Sequence, residues 1–452
     1  MSGAEHKKLV VLGAAESGIG AALLGKQQGW QVFVSDGGKI KDTYKADLRE
    51  AGIAFEEGSH SMDKITAADC IVKSPGIPEK VPVMKTVRAA GIEVCSEIEF
   101  GFRYKGASKI IAITGSNGKS TTTKLIWHTL KTAGYDVSLV GNIGYSFARQ
   151  IAEHPTAWYV MEVSSFQLDD VHTFRPDVAV LLNLSPDHLD RYDYKYENYI
   201  AAKFRIAEQQ GPEDIFITNY DDQEIRNYLD KHSFHARTIY FTMNHQQTKT
   251  DAAFIKDDEI HINYGGEDTS MSIHDLSIKG KHNQYNSMAA GISARTAGIR
   301  SAKIRESFSS FEGLAHRLEH VATVRGVEFI NDSKATNVNS VWFALESMKK
   351  PVILILGGQD KGNDYNEIKD LVQEKVKAIV CLGVDNKNIH DFFEGIVPAI
   401  VDTATAHDAV LAAYSLAEKD YVVLLSPACA SFDLFKNYED RGDQFKEAVK
   451  SL

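Results

Sequence analysis

Ile110-Ile111-Ala112-Ile113-Thr114-Gly115-Ser116-Asn117-Gly118-Lys119-Ser120-Thr121 decides how this chain folds. An apolar, β-branched run breaks at a glycine and gives way to helix-forming residues. That pattern is a strand buried on both faces, then a tight turn, then a helix. Gly115 and Gly118 let the backbone curl so that its N–H groups point inward at phosphate. Ser116 and Asn117 lie between them. Lys119 supplies a point charge for β- and γ-phosphates, and a Ser120 or Thr121 hydroxyl suits Mg²⁺. The helix N-terminus adds partial positive charge. The loop is shorter than the usual G-x-x-x-x-G-K-[ST], with two residues between its glycines.

Two further stretches follow the same plan. Leu9-Val10-Val11-Leu12 runs into Gly13, and Val352-Ile353-Leu354-Ile355-Leu356 runs into Gly357-Gly358. Such sheets bind ligands where strands end in glycine-rich loops. The chain therefore reads as three α/β domains contributing to one site, with boundaries expected at 1–105, 106–315 and 316–452. Each is expected to be a mainly parallel sheet with flanking helices. The polar segment from Arg237 to Ile278 breaks the rhythm and reads as antiparallel strands appended to the middle domain.

Composition excludes several classes. Of 452 residues, 43% are hydrophobic and 25% charged, which is neither disordered, collagen-like nor a disulfide scaffold. The net charge is −11 and no long basic block occurs, so no nucleic-acid partner is expected. The longest apolar runs, such as Pro351–Leu356 and Val422–Leu425, are far below the ~20 residues of a membrane helix, so no membrane partner is expected. The N-terminus lacks a signal-peptide apolar region. Four scattered cysteines form no CxxC pair and read as free thiols in a reducing compartment. A cytoplasmic enzyme, expected to be a monomer, fits these facts.

The middle domain carries further chemistry. Glu162 ends the strand-like run Trp158-Tyr159-Val160-Met161. A carboxylate there suits Mg²⁺, which takes hard oxygen donors; a helix-terminal charge or cap is the plainer reading. Asn183-Leu184-Ser185-Pro186-Asp187-His188-Leu189-Asp190-Arg191 packs Asp, His and Arg after another apolar strand, Val178–Leu182. Tyr196, Tyr199, Ile200, Lys203 and Phe204 share the apolar face of a helix. Lys203 on that face either snorkels or is a buried amine of lowered pKa. A neutral amine can take up CO₂ as a carbamate, an anionic oxygen ligand.

The first domain is open to two readings. Gly13-Ala14-Ala15-Glu16-Ser17-Gly18, with Asp36 following Gly13 by 23 residues, approaches a dinucleotide fingerprint. Ala15 stands at the middle glycine, where its methyl crowds a pyrophosphate. By spacing, an NAD domain is the alternative.

Glu162-Val163-Ser164-Ser165-Phe166-Gln167, the run from Asn183 to Tyr192 and Ala201-Ala202-Lys203-Phe204-Arg205 together resemble the Mur ligase family. Asn331-Asp332-Ser333-Lys334-Ala335-Thr336-Asn337 and the block from Leu425 through Ser431-Phe432-Asp433 to Arg441-Gly442 resemble its D-glutamate-adding branch, and the match runs nearly the whole chain. The resemblance implies Rossmann-like N- and C-terminal domains around a P-loop ATPase domain. It implies an ATP-dependent amide ligase of peptidoglycan precursor synthesis, with UDP-N-acetylmuramoyl-L-alanine and D-glutamate as substrates and an acyl-phosphate intermediate. Two Mg²⁺ ions are implied: Ser120 and Glu162 resemble ligands of one, His188 and carbamylated Lys203 of the other. Lys119 and Lys334 join these as catalytic candidates. Asn283, Asn286, Arg317 and Asp332 resemble ATP contacts. Gly13, Ser17, Gly18, Asp36, Ser74, Pro75, Gly76, Asn142 and Ser164 resemble contacts to the UDP-substrate. Thr336, Lys361, Ser431 and Phe432 resemble D-glutamate contacts. The chain departs from the family at Gly37-Gly38, where Thr-Arg is usual beside uracil.

Two other classes share parts of this pattern. Folylpolyglutamate synthase shares the ATPase core but does not usually need a UDP-type first domain. A phosphate-loop switch or motor leaves the blocks at Asn331–Asn337 and Ser426–Gly442 unexplained, and the intact Gly118-Lys119-Ser120 argues against a non-enzymatic binding module.

Overall fold

The computed structural model describes residues 7–247, 251–313, 315–360 and 362–452. The chain divides into two compact units. One runs to Leu276 and includes Gln284–Phe311; the other comprises Ser277–Asn283 and Glu312–Leu452.

The first unit holds two sheets. In the five-stranded sheet the order is Ala54–Glu57, Gln31–Asp36, Lys8–Leu12, Cys70–Lys73, Glu93–Cys95, all parallel. Chain direction across the sheet reverses beside Lys8–Leu12, the switch point where such sheets open a crevice. The loops starting at Gly13 and Ser74 flank it.

The nine-stranded sheet is parallel from Val137–Gly141 through Trp158–Glu162, Lys109–Thr114, Val178–Leu181, Ile215–Asn219 and Arg237–Thr242 to Ala252–Lys256. Only Ala252–Lys256, Glu259–Tyr264 and Glu267–Ser272 form an antiparallel meander. The expectation of antiparallel strands from Arg237 onward is corrected for its first strand, Arg237–Thr242, which pairs parallel on both sides. Its alternation reports burial on one face; strand direction depends on the connection, which alternation does not encode.

One apolar core runs through both sheets of this unit, with Ile19, Phe100, Phe147 and Tyr159 fully buried. Glu97, at the start of the helix Glu97–Phe102, reaches into the junction. Its Oε1 accepts from Ser146 Oγ and from the Ala148 amide, each at 2.6 Å. Glu99 accepts the amides of His172, Thr173 and Phe174 at 2.9–3.0 Å. These two buried carboxylates tie the helix after the first sheet to segments of the second.

The second unit is a six-stranded sheet ordered Glu319–Val324, Val327–Asn331, Val422–Leu425, Val352–Leu356, Val376–Leu382, Ile400–Thr403. The first pair is antiparallel and the rest parallel. Leu354, Val341 and Phe393 pack on one face, and Ile353, Val410 and Phe445 on the other. Cover on both faces explains the unbroken apolar run at Val352–Leu356.

Candidate active site

The phosphate loop leaves the strand Lys109–Thr114 and enters the helix Lys119–Thr132. Gly118 caps that helix in the left-handed region, φ 84°, and a Cβ there would stand 2.4 Å from Asn286 Oδ1. Gly115, φ 150°, would place a Cβ 3.0 Å from Leu182 Cβ. Both positions thus need glycine for space as well as for torsion. A strand-end loop clamps this turn. Asn183 Oδ1 accepts the Asn117 amide at 2.8 Å, and Asn183 Nδ2 donates to the Asn117 carbonyl at 3.0 Å. Ser116 Oγ donates to the Ser185 carbonyl and accepts the Ser185 amide, both at 2.9 Å. It also lies 3.0 Å from Tyr199 Oη. Lys119 Nζ turns back on the loop, donating to the Gly115 and Ser116 carbonyls at 2.9 Å.

Ser120 and Thr121 are buried in the first helical turn, and the Thr121 hydroxyl has no hydrogen-bond partner. Glu162 ends the neighbouring strand, paired in register with Ile113. It is 2% exposed. Its Oε1 accepts from Asn142 Nδ2 at 2.8 Å, whereas Oε2 is buried without a partner. The cap reading belongs instead to Ser164, whose hydroxyl accepts the Gln167 amide in a capping box.

Lys203 does not snorkel. It is 2% exposed on the helix Tyr196–Glu208. Nζ donates to the Gly115 carbonyl at 2.8 Å and lies 4.6 Å from the Tyr199 ring centroid. Burial, then the charge of Lys119, drives its pKa well below the usual amine range. His188 adopts a left-handed backbone, φ 52°, with its ring edge-on to Phe166. Nε2 lies 3.6 Å from Asp187 Oδ2.

Around the switch point, Gly13 has φ 89° and Ser74 Oγ donates to its carbonyl at 3.3 Å. Gly18 packs against that same carbonyl: a Cβ there would lie 1.9 Å from the oxygen. Ser17 sits in the first turn of the helix Glu16–Gln27. Asp36 braces two loops, accepting the Ala14 and Gly38 amides at 2.7 Å. Arg191 Nη2 donates to the Pro75 carbonyl at 3.1 Å, and Gly76 follows in the same exposed turn. At the departure from the family, a Cβ on Gly37 would stand 3.1 Å from His60 Nε2.

In the second unit, Asp332 follows the strand Val327–Asn331 and is 2% exposed. Ser426 Oγ donates to Oδ2 at 2.9 Å and the Leu318 amide to Oδ1 at 3.2 Å. Burial raises its pKa to about 6 against the opposing pull of Arg317. Arg317 follows His316, whose backbone is left-handed and whose Nδ1 lies 3.0 Å from Asn331 Nδ2. Asn283, in the first turn of the helix Lys281–Thr296, donates through Nδ2 to the Lys279 carbonyl at 2.8 Å. Lys334 stands over the Tyr438 ring, with its amide on the His316 carbonyl. Thr336 follows two residues on and is half-buried. Ser431 is buried, whereas Phe432 is 68% exposed. Lys361 lies outside the described residues.

Two side chains gained no role from the sequence. Tyr199 counts there as apolar stripe, yet its hydroxyl meets the phosphate loop. Arg441 is buried, donating from Nε to Ser333 Oγ and from Nη2 to the Ser333 carbonyl, both at 2.9 Å, and from Nη1 to the Cys429 carbonyl at 3.2 Å. It joins the Asn331–Asn337 turn to the Leu425–Gly442 block. A buried arginine and an exposed one look alike in sequence.

A glycine loop at a helix N-terminus, flanked by adjacent strand ends bearing Glu162 and Asn183, defines a nucleotide-binding α/β protein with a phosphate loop. Residues 7–96, 113–294 and 316–429 match, in order, the models of the Mur ligase MurD-like N-terminal domain, the Mur ligase middle domain and the Mur ligase glutamate ligase domain. The chain belongs to the Mur ligase family. It is 53% identical over 447 residues to the UDP-N-acetylmuramoylalanine--D-glutamate ligase of Bacteroides fragilis, covering 99% of this chain and 100% of that one. The ligase of the same name from Christiangramia forsetii is 50% identical over 446 residues, with coverage of 99% and 100%. Among solved structures, a pseudomurein peptide ligase type C from Methanothermus fervidus matches with a TM-score of 0.63 at 20% identity, covering 99% of this chain and 100% of that one. The MurF ligase of Thermotoga maritima in complex with ADP matches with a TM-score of 0.59 at 15% identity, covering 93% and 95%. These two share the three-domain α/β architecture. No helix among the described residues is long and apolar enough to cross a membrane.

Proposed function

We propose that this chain is an ATP-dependent ligase joining D-glutamate to UDP-N-acetylmuramoyl-L-alanine, in peptidoglycan precursor synthesis. The observation that carries this reading is identity of 53% and 50% to full-length relatives of that activity. The phosphate loop, Glu162 and Lys203 at one sheet edge support it chemically.

The γ-phosphoryl group of ATP passes to the substrate carboxylate: a new O–P bond forms, the bridging O–P bond breaks and ADP leaves. The D-glutamate amine, freed of its proton, then attacks the acyl carbon, the C–N bond forms and phosphate departs. The first step brings two anions together, and Lys119 offsets that repulsion. The loop amides and the helix N-terminus hold the phosphates. Water must be kept from the acyl phosphate.

Two Mg²⁺ ions belong to this reading, and the buried, unpartnered Glu162 Oε2 supports the first. Ser120 and Glu162 are the ligands we assign to one. His188 and Lys203 are assigned to the other. The Lys203 amine, lowered in pKa by burial, takes up CO₂ and releases a proton to become a carbamate. These residues would hold Mg²⁺, which would supply positive charge to offset that of the transferring phosphoryl group. Asn142, which donates to Glu162 Oε1, is assigned to the muramoyl part of the substrate. Gly13, Ser17, Gly18, Asp36, Ser74, Pro75, Gly76 and Ser164 are assigned to that UDP-substrate, Asn283, Asn286, Arg317 and Asp332 to ATP, Lys334 to the phosphoryl transfer, and Thr336, Lys361, Ser431 and Phe432 to D-glutamate. The chain is proposed to act as a cytoplasmic monomer.

The test is phosphate release from Mg-ATP in a matrix of acceptors: UDP-N-acetylmuramoyl-L-alanine with D-glutamate, with L-glutamate or alone, and dihydropteroate with L-glutamate. Release that requires both the UDP-sugar and D-glutamate is the expected result. Release with the pteroate, or without any acceptor, overturns the substrate assignment.

A further inference from the structure

We propose that Cys381, His390 and Asp402 form a divalent-cation site of Zn²⁺ type in the second unit. Cys381 lies near the end of the strand Val376–Leu382, and Asp402 stands opposite it in the adjacent parallel strand Ile400–Thr403. Directly paired residues share a face of the sheet. The chain leaves the first strand through residues 383–386 and enters the helix Lys387–Phe393, which brings His390 back over the strand ends. His390 Nε2 lies 3.0 Å from Asp402 Oδ1 and 3.1 Å from Oδ2. One ligand atom from each of the three residues falls within 4.8 Å of the other two. Zn–N and Zn–O bonds of about 2.0 Å and a Zn–S bond of about 2.3 Å put tetrahedral donors roughly 3.3–3.5 Å apart; His390 and Asp402 already stand near that spacing, and the thiol has to close in on them.

The donor types select the ion. A thiol, an imidazole and a carboxylate offer sulfur, nitrogen and oxygen. With the thiolate and carboxylate ionised, two negative charges balance a divalent cation. Sulfur disfavours Mg²⁺ and Ca²⁺ and favours Zn²⁺ or Co²⁺. The thiol gives up its proton to solvent when the metal–sulfur bond forms. Asn386 supplies an outer contact: its Nδ2 donates to Asp402 Oδ1 at 2.9 Å and fixes the carboxylate. The site opens on a cleft of about 420 Å³ lined by Asp385, Asn386, Lys387, His390, Asp402 and Thr403, among others. That cleft gives access from the His390 and Asp402 side, where water would be the fourth ligand. Cys381 itself is fully buried, which protects the sulfur from oxidation. An ion there would clamp the helix Lys387–Phe393 to the last strand of the sheet.

The experiment is a Co²⁺ titration of the full-length, reduced, chelator-treated protein in the absence of nucleotide, read by absorption. We expect one Co²⁺ per chain, a thiolate-to-cobalt charge-transfer band and tetrahedral d–d bands, all displaced by Zn²⁺ and untouched by Mg²⁺. Cys381→Ser should abolish the charge-transfer band with circular dichroism unchanged. His390→Ala and Asp402→Asn, at accessible positions, should weaken binding at least ~10-fold with ligase turnover retained. Absence of the thiolate band in the wild-type chain overturns the proposal. So does a band that persists in Cys381→Ser, or an affinity that His390→Ala leaves unchanged.

Discussion

Lys203 and Lys119 donate to the same oxygen: the Gly115 carbonyl accepts Lys203 Nζ at 2.8 Å and Lys119 Nζ at 2.9 Å. Two cationic side chains converging on one carbonyl, one of them fully buried, is costly unless one amine is neutral. Burial and the facing Lys119 charge both push Lys203 in that direction. Carbamylation of the neutral Lys203 amine, as proposed above, would put an anion opposite Lys119 in place of a second cation.

Lys203→Ala is expected to lower turnover by more than ~100-fold, the scale of losing one electrostatic contributor to the transition state. The fold should hold, because alanine is the strongest helix former. Added acetate should restore part of the rate by standing in for the carbamate oxygens. Initial phosphate-release rates with and without acetate, beside a thermal melt, check this. Full activity without additive would remove the carbamate from the mechanism.

Lys119→Ala should abolish ATP turnover, with a loss on the order of 10²–10³ or more in rate. The loop should keep its shape, because Asn183 and Ser116 clamp it independently of the lysine amine. Nucleotide binding by calorimetry and steady-state rates together distinguish lost affinity from lost chemistry; unchanged kinetics would take the loop out of phosphate transfer.

Glu97 makes stability depend on pH. Burial raises its pKa from 4.5 to about 7, against the Ala148 and Ser146 hydrogen bonds that lower it. The folded chain therefore holds this proton where the unfolded chain has released it. Its contribution is present in full below the unfolded pKa and is lost as pH rises toward 7, by about 3 kcal/mol. Glu97→Gln keeps an acceptor for both hydrogen bonds and carries no charge. Its melting temperature should exceed that of the wild-type chain at pH 8 and converge on it at pH 4.5. Parallel melting curves at both pH values would contradict this.

Arg441→Lys should destabilise the second unit by about 2–4 kcal/mol, because one ammonium cannot span the Ser333 and Cys429 acceptors that the guanidinium fork reaches. Differential scanning calorimetry reads the loss, and KM for D-glutamate should rise as the Asn331–Asn337 turn loosens. A melt and a KM both equal to the wild type would show that the link is dispensable.

The parts of the site that sequence exposes are those with a local cause. The Gly115–Ser120 loop is legible because positive φ at Gly118 and a helix N-terminus impose residue types on consecutive positions. The strand before it is legible because burial on both faces leaves no polar position. Helical spacing leaves Lys203 open between snorkelling and burial, since it gives the residue's face but not what covers that face. Spacing gives Arg441 and Tyr199 no role for the same reason. The strand Arg237–Thr242 misled because alternation gives exposure without direction.

The sequence by itself determined three α/β blocks, a phosphate loop, the strand-end position of Glu162 and the Mur ligase signatures, because each is written in a short run whose backbone and burial requirements are local. Only the tertiary structure decided that Lys203 is buried against the Gly115 carbonyl, that Glu162 keeps an unpartnered oxygen and that Asp36 braces two loops. It alone brought Cys381 and Asp402 into register beneath His390. Desolvation and charge pairing are set by elements far apart in the chain, and no spacing within one element records what packs against it.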